Sequence, residues 1–305
     1  MTSIKTNSSA MTALRSLQST NKMLDETQNR ISTGYKVSTA TDNAAYWSIA
    51  TTMRSDNKAL STVQDALGLG SAKIDVTYTG LNSSIDVIDE IKSKLVASRE
   101  PGVDRTKIQD EIVQLQQQLI AIADSASFSG ENWLSVDSGA AGYTQVKSVV
   151  ASFTRTDTAV SVDTIDVDTG TVELFDADDQ SGILDSTFTT TGTGAVTVSV
   201  TTLDITVATV TDADIDSMIS NGDAKLALMT TAASDIGAIQ KRMINQTDFV
   251  ANLIDSIDRG VGALVDADMS KESTRLQALQ TQQQLGIQSL SIANSGAQSI
   301  LALFQ

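Results

Sequence analysis

AMTALRSLQSTNKMLDETQNRI, Ala10–Ile31, is the stretch on which the reading of the whole chain turns. Ala10, Leu14, Leu17, Asn21, Leu24, Gln28 and Ile31 recur at strict 4-3-4-3 spacing. That is the period of a helix whose seam faces another helix. Asn21 and Gln28 occupy seam positions where a self-contained bundle prefers Leu. Buried amides weaken packing but select register and partner number. The seam is built for specificity.

The same period returns near the other end. Ile236, Ile239, Met243, Gln246, Val250, Leu253, Ile257, Val261 and Leu264 keep spacings of three or four. Leu276, Leu279, Gln283, Ile287, Leu290, Asn294, Ala297, Leu301 and Phe304 carry the stripe to the last residues, again diluted by amides. Two inner stripes complete the helical part. Leu81, Ile85, Ile88, Ile91 (or Lys92) and Leu95 form one; Ile108, Ile112, Leu115, Leu119 and Ile122 form the other. Pro101 and Gly102, within 98–105, mark a turn between antiparallel neighbours.

Between these helical ends the character changes. Residues 141–215 hold 12 Asp or Glu against Lys147 and Arg155, so about −10 of the chain's net charge of −16 lies here. Apolar residues alternate in Val196, Val198 and Val200, then in Leu203, Ile205 and Val207, with Thr201 and Thr202 breaking the phase. Ile165–Val167 and Val172–Leu174 flank a DTG turn, a hairpin signal. The fold class expected is mainly α, with long terminal helices in coiled-coil-like bundles around a small inserted antiparallel β-rich domain (α+β overall).

Composition removes whole classes of function. With 305 residues, 41% of them hydrophobic, the chain can bury a core in one to three domains. Its negative balance argues against phosphate-directed nucleic-acid binding, which needs clustered Lys and Arg. No run approaches the ~20 apolar residues of a membrane span. The chain has no Cys and no His, which excludes disulfides, thiolate metal sites, Ser-His-Asp triads and HExxH zinc sites. No enzyme, cofactor or metal is expected. MTSIKTNSSAM has no apolar core, so no cleaved signal peptide is expected either.

NRISTGYKVSTATDNAAYWSIA, Asn29–Ala50, resembles the amino-terminal signature of bacterial flagellins. The matching positions are Arg30, Ile31, Ser32, Thr33 and Gly34, then Lys36 and Val37, then Asp42, Asn43, Ala44 and Ala45, then Ile49 and Ala50. SFSGENWL, Ser127–Leu134, is similar to a further segment of that family. So are Asp266-Ala267-Asp268 and Gln283-Gln284-Leu285-Gly286 through Ala293-Asn294 to ILALF. The resemblance covers about 1–140 and 216–305.

The resemblance implies a structural subunit that self-polymerises into the extracellular flagellar filament for motility, by pairing terminal helices within and between subunits. It implies three layers. Residues 1–33 with 266–305 form the inner core, 34–140 with 216–265 the outer helical tube, and 141–215 the variable solvent-facing domain. The expected assembly residues are Leu14, Leu17, Leu24, Ile31, Leu290, Ala297, Leu301 and Phe304. Implied partners are copies of the chain, related flagellins, an export chaperone, and the cap and hook-junction proteins. A hook–filament junction protein shares the terminal helices and stands as a rival; a secreted binding module with an acidic β domain is a more distant one.

Where the chain departs from the family pattern, the departures also predict. The stretch that the vertebrate Toll-like receptor reads corresponds to Asp86–Ile91, with both family arginines absent and Val87, Asp89 and Glu90 in the motif. Loss of long cations removes charge-complementary docking. In the plant-receptor epitope, Thr41-Asp42-Asn43 replaces Lys-Asp-Asp, and Tyr46-Trp47 replaces small residues. Poor recognition by both receptors is expected. Asp163, Asp166, Asp168, Asp176, Asp178 and Asp179 lack a closed calcium-loop pattern and read as a solvated acidic face. Trp47 and Trp133 read as packing residues, and the apolar tail 299–305 as a segment that orders on assembly.

Overall fold

The computed structural model describes residues 7–156 and 159–302, with side chains described as far as Gly296. The side chains of Ala297 and Leu301, and Phe304 entirely, lie outside the described residues. The chain divides into two compact units: Met1–Lys58 with Ile254–Gln305, and Ala59–Leu253.

Among the described residues five helices dominate: α1 (Ser8–Thr33), α2 (Ala44–Ala97), α3 (Arg105–Ser125), α4 (Asp212–Val265) and α5 (Met269–Ala302). Their ends are written locally. The Asn7 side chain accepts from Ala10 N–H at 3.0 Å and starts α1. Gly34 ends it at φ +77°, donating its N–H to Arg30 O at 2.9 Å, a left-handed cap that a Cβ disfavours. Asn43 Oδ1 accepts from Tyr46 N–H at the start of α2, and Asp104 caps α3.

In the second unit, Leu67, Ile74, Leu81, Ile88 and Leu95 lie fully buried at seven-residue intervals along α2. Ile91, and not Lys92, faces inward with them. Ile112 and Leu119 of α3, and Met229, Ile236 and Met243 of α4, are equally enclosed. Lys94–Glu111 and Lys92–Asp223 ion pairs, each 2.5 Å, tie α2 to α3 and to α4. Around the 98–105 turn, Arg99 reaches Asp216 at 2.8 Å and Asp212 at 3.0 Å, and Arg105 pairs with Asp212.

The middle of the chain forms ribbons and not one sheet. Among the described residues, eight strands make four two-stranded pairs: β1 (Ser127–Phe128), β2 (Glu131–Asn132), β3 (Ser135–Val136), β4 (Val146–Arg155), β5 (Val160–Asp168), β6 (Phe175–Asp176), β7 (Phe188–Thr189) and β8 (Thr197–Val198). β1–β2, β4–β5 and β7–β8 are antiparallel, and β3–β6 is parallel. The DTG segment is not a hairpin turn. Asp168 accepts from Gly170 N–H and caps a single 3-10 turn, Thr169–Thr171. Ile165 and Val167 pair instead with Val149 and Lys147, so β5 folds back on β4. Leu174 N–H and Phe175 N–H both turn to Leu134 O.

The alternating 196–207 stretch is a strand only at β8. Beyond β8, Val200 N–H donates to Leu184 O, and glutamines of α3 hold three further backbone groups. Gln116 Nε2 donates to Val200 O at 2.8 Å and to Leu203 O at 3.1 Å. Gln109 donates to Leu203 O and accepts from Ile205 N–H, each at 3.0 Å. Val200, Leu203 and Ile205 bury their side chains beneath. A side-chain amide supplies what a neighbouring strand would. At Gly70 a Cβ would stand 2.4 Å from Val149, so β4 lies close on α2.

Candidate functional site

The site is the helix pair α1 and α5 with the junction that follows α1. The two helices run antiparallel. Asn7 Nδ2 donates to Ala293 O at 2.9 Å, Gln283 Nε2 donates to Asn21 Oδ1 at 2.8 Å, and Arg30 reaches Glu272 at 3.3 Å. The seam amides Asn21 and Gln283 thus pair with each other and set register. Gly286 brings α5 close to Leu17, whose Cδ1 would lie 3.2 Å from an added Cβ.

The buried face is rotated from the strict seven-residue reading. Thr20, Leu24 and Thr27 are buried on α1, with Ala13, Leu17 and Ile31 half-buried. Leu14 is 44% exposed and Gln28 is open. A straight helix at 3.6 residues per turn drifts ~20° per heptad from a 3.5-residue repeat. The small side chains Ala13, Thr20 and Thr27 accept the closer approach. On α5, Leu279 is buried and Leu276, Gln283, Gly286 and Leu290 are half-buried. Ile287, expected in the seam, is 54% exposed, and Leu285 and Ile292 also face out.

The junction carries the rest of the signature. Arg30 is half-buried and pairs with Glu26 at 2.6 Å as well as Glu272. Gly34 O accepts from Ala267 N–H at 2.8 Å, and Tyr35 bridges to Asp266. Lys36 N–H and Val37 N–H both donate to Val265 O. Val37, Ala50, Val261 and Val265 close a small core, flanked by Met53, Ile257 and Leu264. The Asp42 carboxylate accepts from Thr39 and Ser38 N–H; these donors hold its pKa below the ordinary carboxylate value. Ala44 and Ala45 lie exposed in the first turn of α2. Both ends of the chain therefore meet at one joint, which no local pattern in either end announces.

Trp133 is buried, and Trp47 is 38% exposed within the single chain, because α4 ends before reaching it. One expectation needs correction. Asp176 is not on a solvated face but buried at 2% exposure. Burial opposes its ionisation, yet donation by Ser138, Asp178 and Ser181 outweighs this and brings its pKa down to about 2. Neighbouring Glu173 is also buried, and burial pushes its pKa up. Among the described residues no group of three or more Asp, Glu, His or Cys is arranged to hold a metal ion. In the receptor-epitope stretch Val87 is buried, while Asp89 and Glu90 are exposed.

Two sequence-family profiles match: the bacterial flagellin N-terminal helical region over residues 4–138, and the bacterial flagellin C-terminal helical region over residues 219–304. The chain belongs to the bacterial flagellin family. It is 54% identical to Flagellin C of Rhizobium meliloti (strain 1021), and 44% identical to Flagellin A of the same strain. It is 45% identical to a flagellin of Brucella melitensis biotype 1. Each similarity spans 100% of both chains. The protein is thus a structural subunit of the extracellular flagellar filament and not an enzyme.

Proposed function

We propose that the chain polymerises through the outward faces of α1 and α5, which stay apolar after the two helices have packed on each other. The observation that carries this reading is the exposure of Met11 (50%), Leu14 (44%), Leu285 (58%), Ile287 (54%) and Ile292 (71%). A helix apolar on more than one side belongs inside something larger. Each such side chain, once buried, stabilises by ~1.5–3 kcal/mol, and the gain repeats at every subunit. Leu17, Leu24, Ile31 and Leu290 then hold the α1–α5 pair together. Leu14 serves contacts between copies, with Ala297, Leu301 and Phe304 assigned the same role from sequence.

On this reading residues 1–33 with 266–305 line the filament core, 34–140 with 216–265 surround it, and 141–215 faces solvent. A flagellar export chaperone and the cap and hook-junction proteins are its further partners on this reading. The buried Val87 and the carboxylates Asp89 and Glu90 support weak recognition by innate immune receptors. A full reporter-cell response at low dose would contradict that.

The test is seeded growth. Leu14→Ser and Ile287→Ser monomers are expected to keep wild-type helicity by circular dichroism yet fail to extend filament fragments in electron micrographs. Normal extension by both variants refutes the assignment of these faces.

A further inference from the structure

The first turn of α2 carries an apolar stripe further than the chain can cover it. α2 and α4 run antiparallel here: Asn57 Nδ2 donates to Asp258, and Met53 lies beside Gly260. Ala50 joins Val261 and Val265 in the junction core. One turn back from Ala50, at spacings of three and four, the stripe continues as Trp47 and Tyr46, with Ile49 four residues before Met53. But α4 stops at Val265, and the chain turns away through Ala267, whose N–H is bound to Gly34 O. Tyr46, Trp47 and Ile49 are left 44%, 38% and 48% exposed. The overhang is rigid: Asn43 takes Tyr46 N–H on its side chain and Trp47 N–H on its carbonyl.

Its chemistry narrows the occupant. Residues 38–52 contain no Lys or Arg and a single carboxylate, Asp42, and the flanking cations are engaged within the chain, Lys36 by Ala263 O and Arg54 over the Tyr35 ring, so no cluster of free cations draws the patch to an anionic membrane surface. The three side chains offer roughly 250–300 Å² of surface, against ~800 Å² per partner in a stable binary complex. A free dimer cannot rest on that. A filament can, since each copy there is already held by other faces and a rigid aromatic contact adds to them. Open growth requires a head-to-tail contact, in which the patch meets a different surface of the next copy.

We infer that Tyr46, Trp47 and Ile49 dock on a second copy of this chain, continuing the Val37–Val265 core across the boundary between subunits. The inference rests on the proposed assembly through α1 and α5 and adds a second, separate contact to it.

Trp47 and Trp133 are the two tryptophans, which makes the contact directly readable. In a Trp133→Phe chain, acrylamide should quench Trp47 freely in monomers and at least threefold less in filaments, with a blue-shifted emission. If Trp133→Phe does not fold, the difference between wild type and Trp47→Phe isolates the same signal. Trp47→Ala should raise the critical concentration for growth about tenfold at unchanged monomer helicity, and Trp47→Phe should restore most of it. Equal quenching of Trp47 in monomers and filaments overturns the inference, as does normal growth of Trp47→Ala. So does equal protection of monomeric Trp47 by phosphatidylglycerol vesicles or by an unrelated acidic protein. A wild-type chain that fails to extend seeds is a different result, which refutes the assembly reading itself.

Discussion

Removing the Arg30 guanidinium should strand a carboxylate inside the α1–α5 pair. The Glu272 side chain is only 8% exposed, and its Oε2 is buried without a hydrogen-bond donor. Its Oε1 is held by Arg30 at 3.3 Å, and Arg30 is itself 26% exposed and shared with Glu26. Breaking a fully buried pair by deleting one partner costs ~3–5 kcal/mol. Exposure of the guanidinium and its long contact reduce this, so Arg30→Met, which keeps much of the aliphatic stem, should cost about 1–3 kcal/mol. That is a rise of about five- to 150-fold in the opening equilibrium of the helix pair. Replacing both partners, as Arg30→Met with Glu272→Leu, should recover most of the loss, because no charge is left unpaired. Native-state hydrogen exchange of α1 and α5 amides reads the opening directly, and a double-mutant cycle extracts the coupling. Additive losses, with a coupling below ~0.3 kcal/mol, would refute the argument that Arg30 neutralises a buried charge.

Other perturbations follow from single positions. Gly34 sits at φ +77° with open space where a Cβ would stand, so Gly34→Ala should cost about 1 kcal/mol from backbone strain alone, and Gly34→Asn less; melting of the monomer checks the order. Glu173 has a raised pKa, so it favours the folded state below its unfolded pKa and loses that advantage as pH rises through the folded value. Glu173→Gln should therefore raise stability at pH 7 and do little near pH 4, as measured by urea unfolding of the second unit. Asp176 behaves oppositely: its pKa near 2 stabilises above the unfolded value and fades as pH falls toward 2, a dependence that Asp176→Asn should abolish. Deleting 299–305 should leave a soluble monomer that does not extend seeds; unimpaired growth would make that tail dispensable.

Much of the fold was legible because helices are local. Stripes at 81–95 and 108–122 point inward as their spacing requires, since period and burial are two views of one geometry. The middle was less legible. Alternation at 200–207 reflects real burial of Val200, Leu203 and Ile205, but the partners of Val200 O, Leu203 O and Ile205 N–H are the Gln109 and Gln116 side chains, far away in sequence. Alternation reports which side chains turn inward, not whether another strand is present. The buried Asp176 was missed because acidity predicts solvation until folding gathers donors around it.

By itself, the amino-acid sequence determined the helical ends, the acidic insert, the exclusion of His- and Cys-based chemistry, and the family. These depend on composition, on short spacings, or on motifs at both ends. Only the tertiary structure decided which apolar residues the chain spends on itself. Leu24 and Leu279 go inside; Leu14, Ile287 and Trp47 remain outside. That division turns on a helix drift of some tens of degrees and on where α4 stops, and both are set by packing between segments more than 200 residues apart.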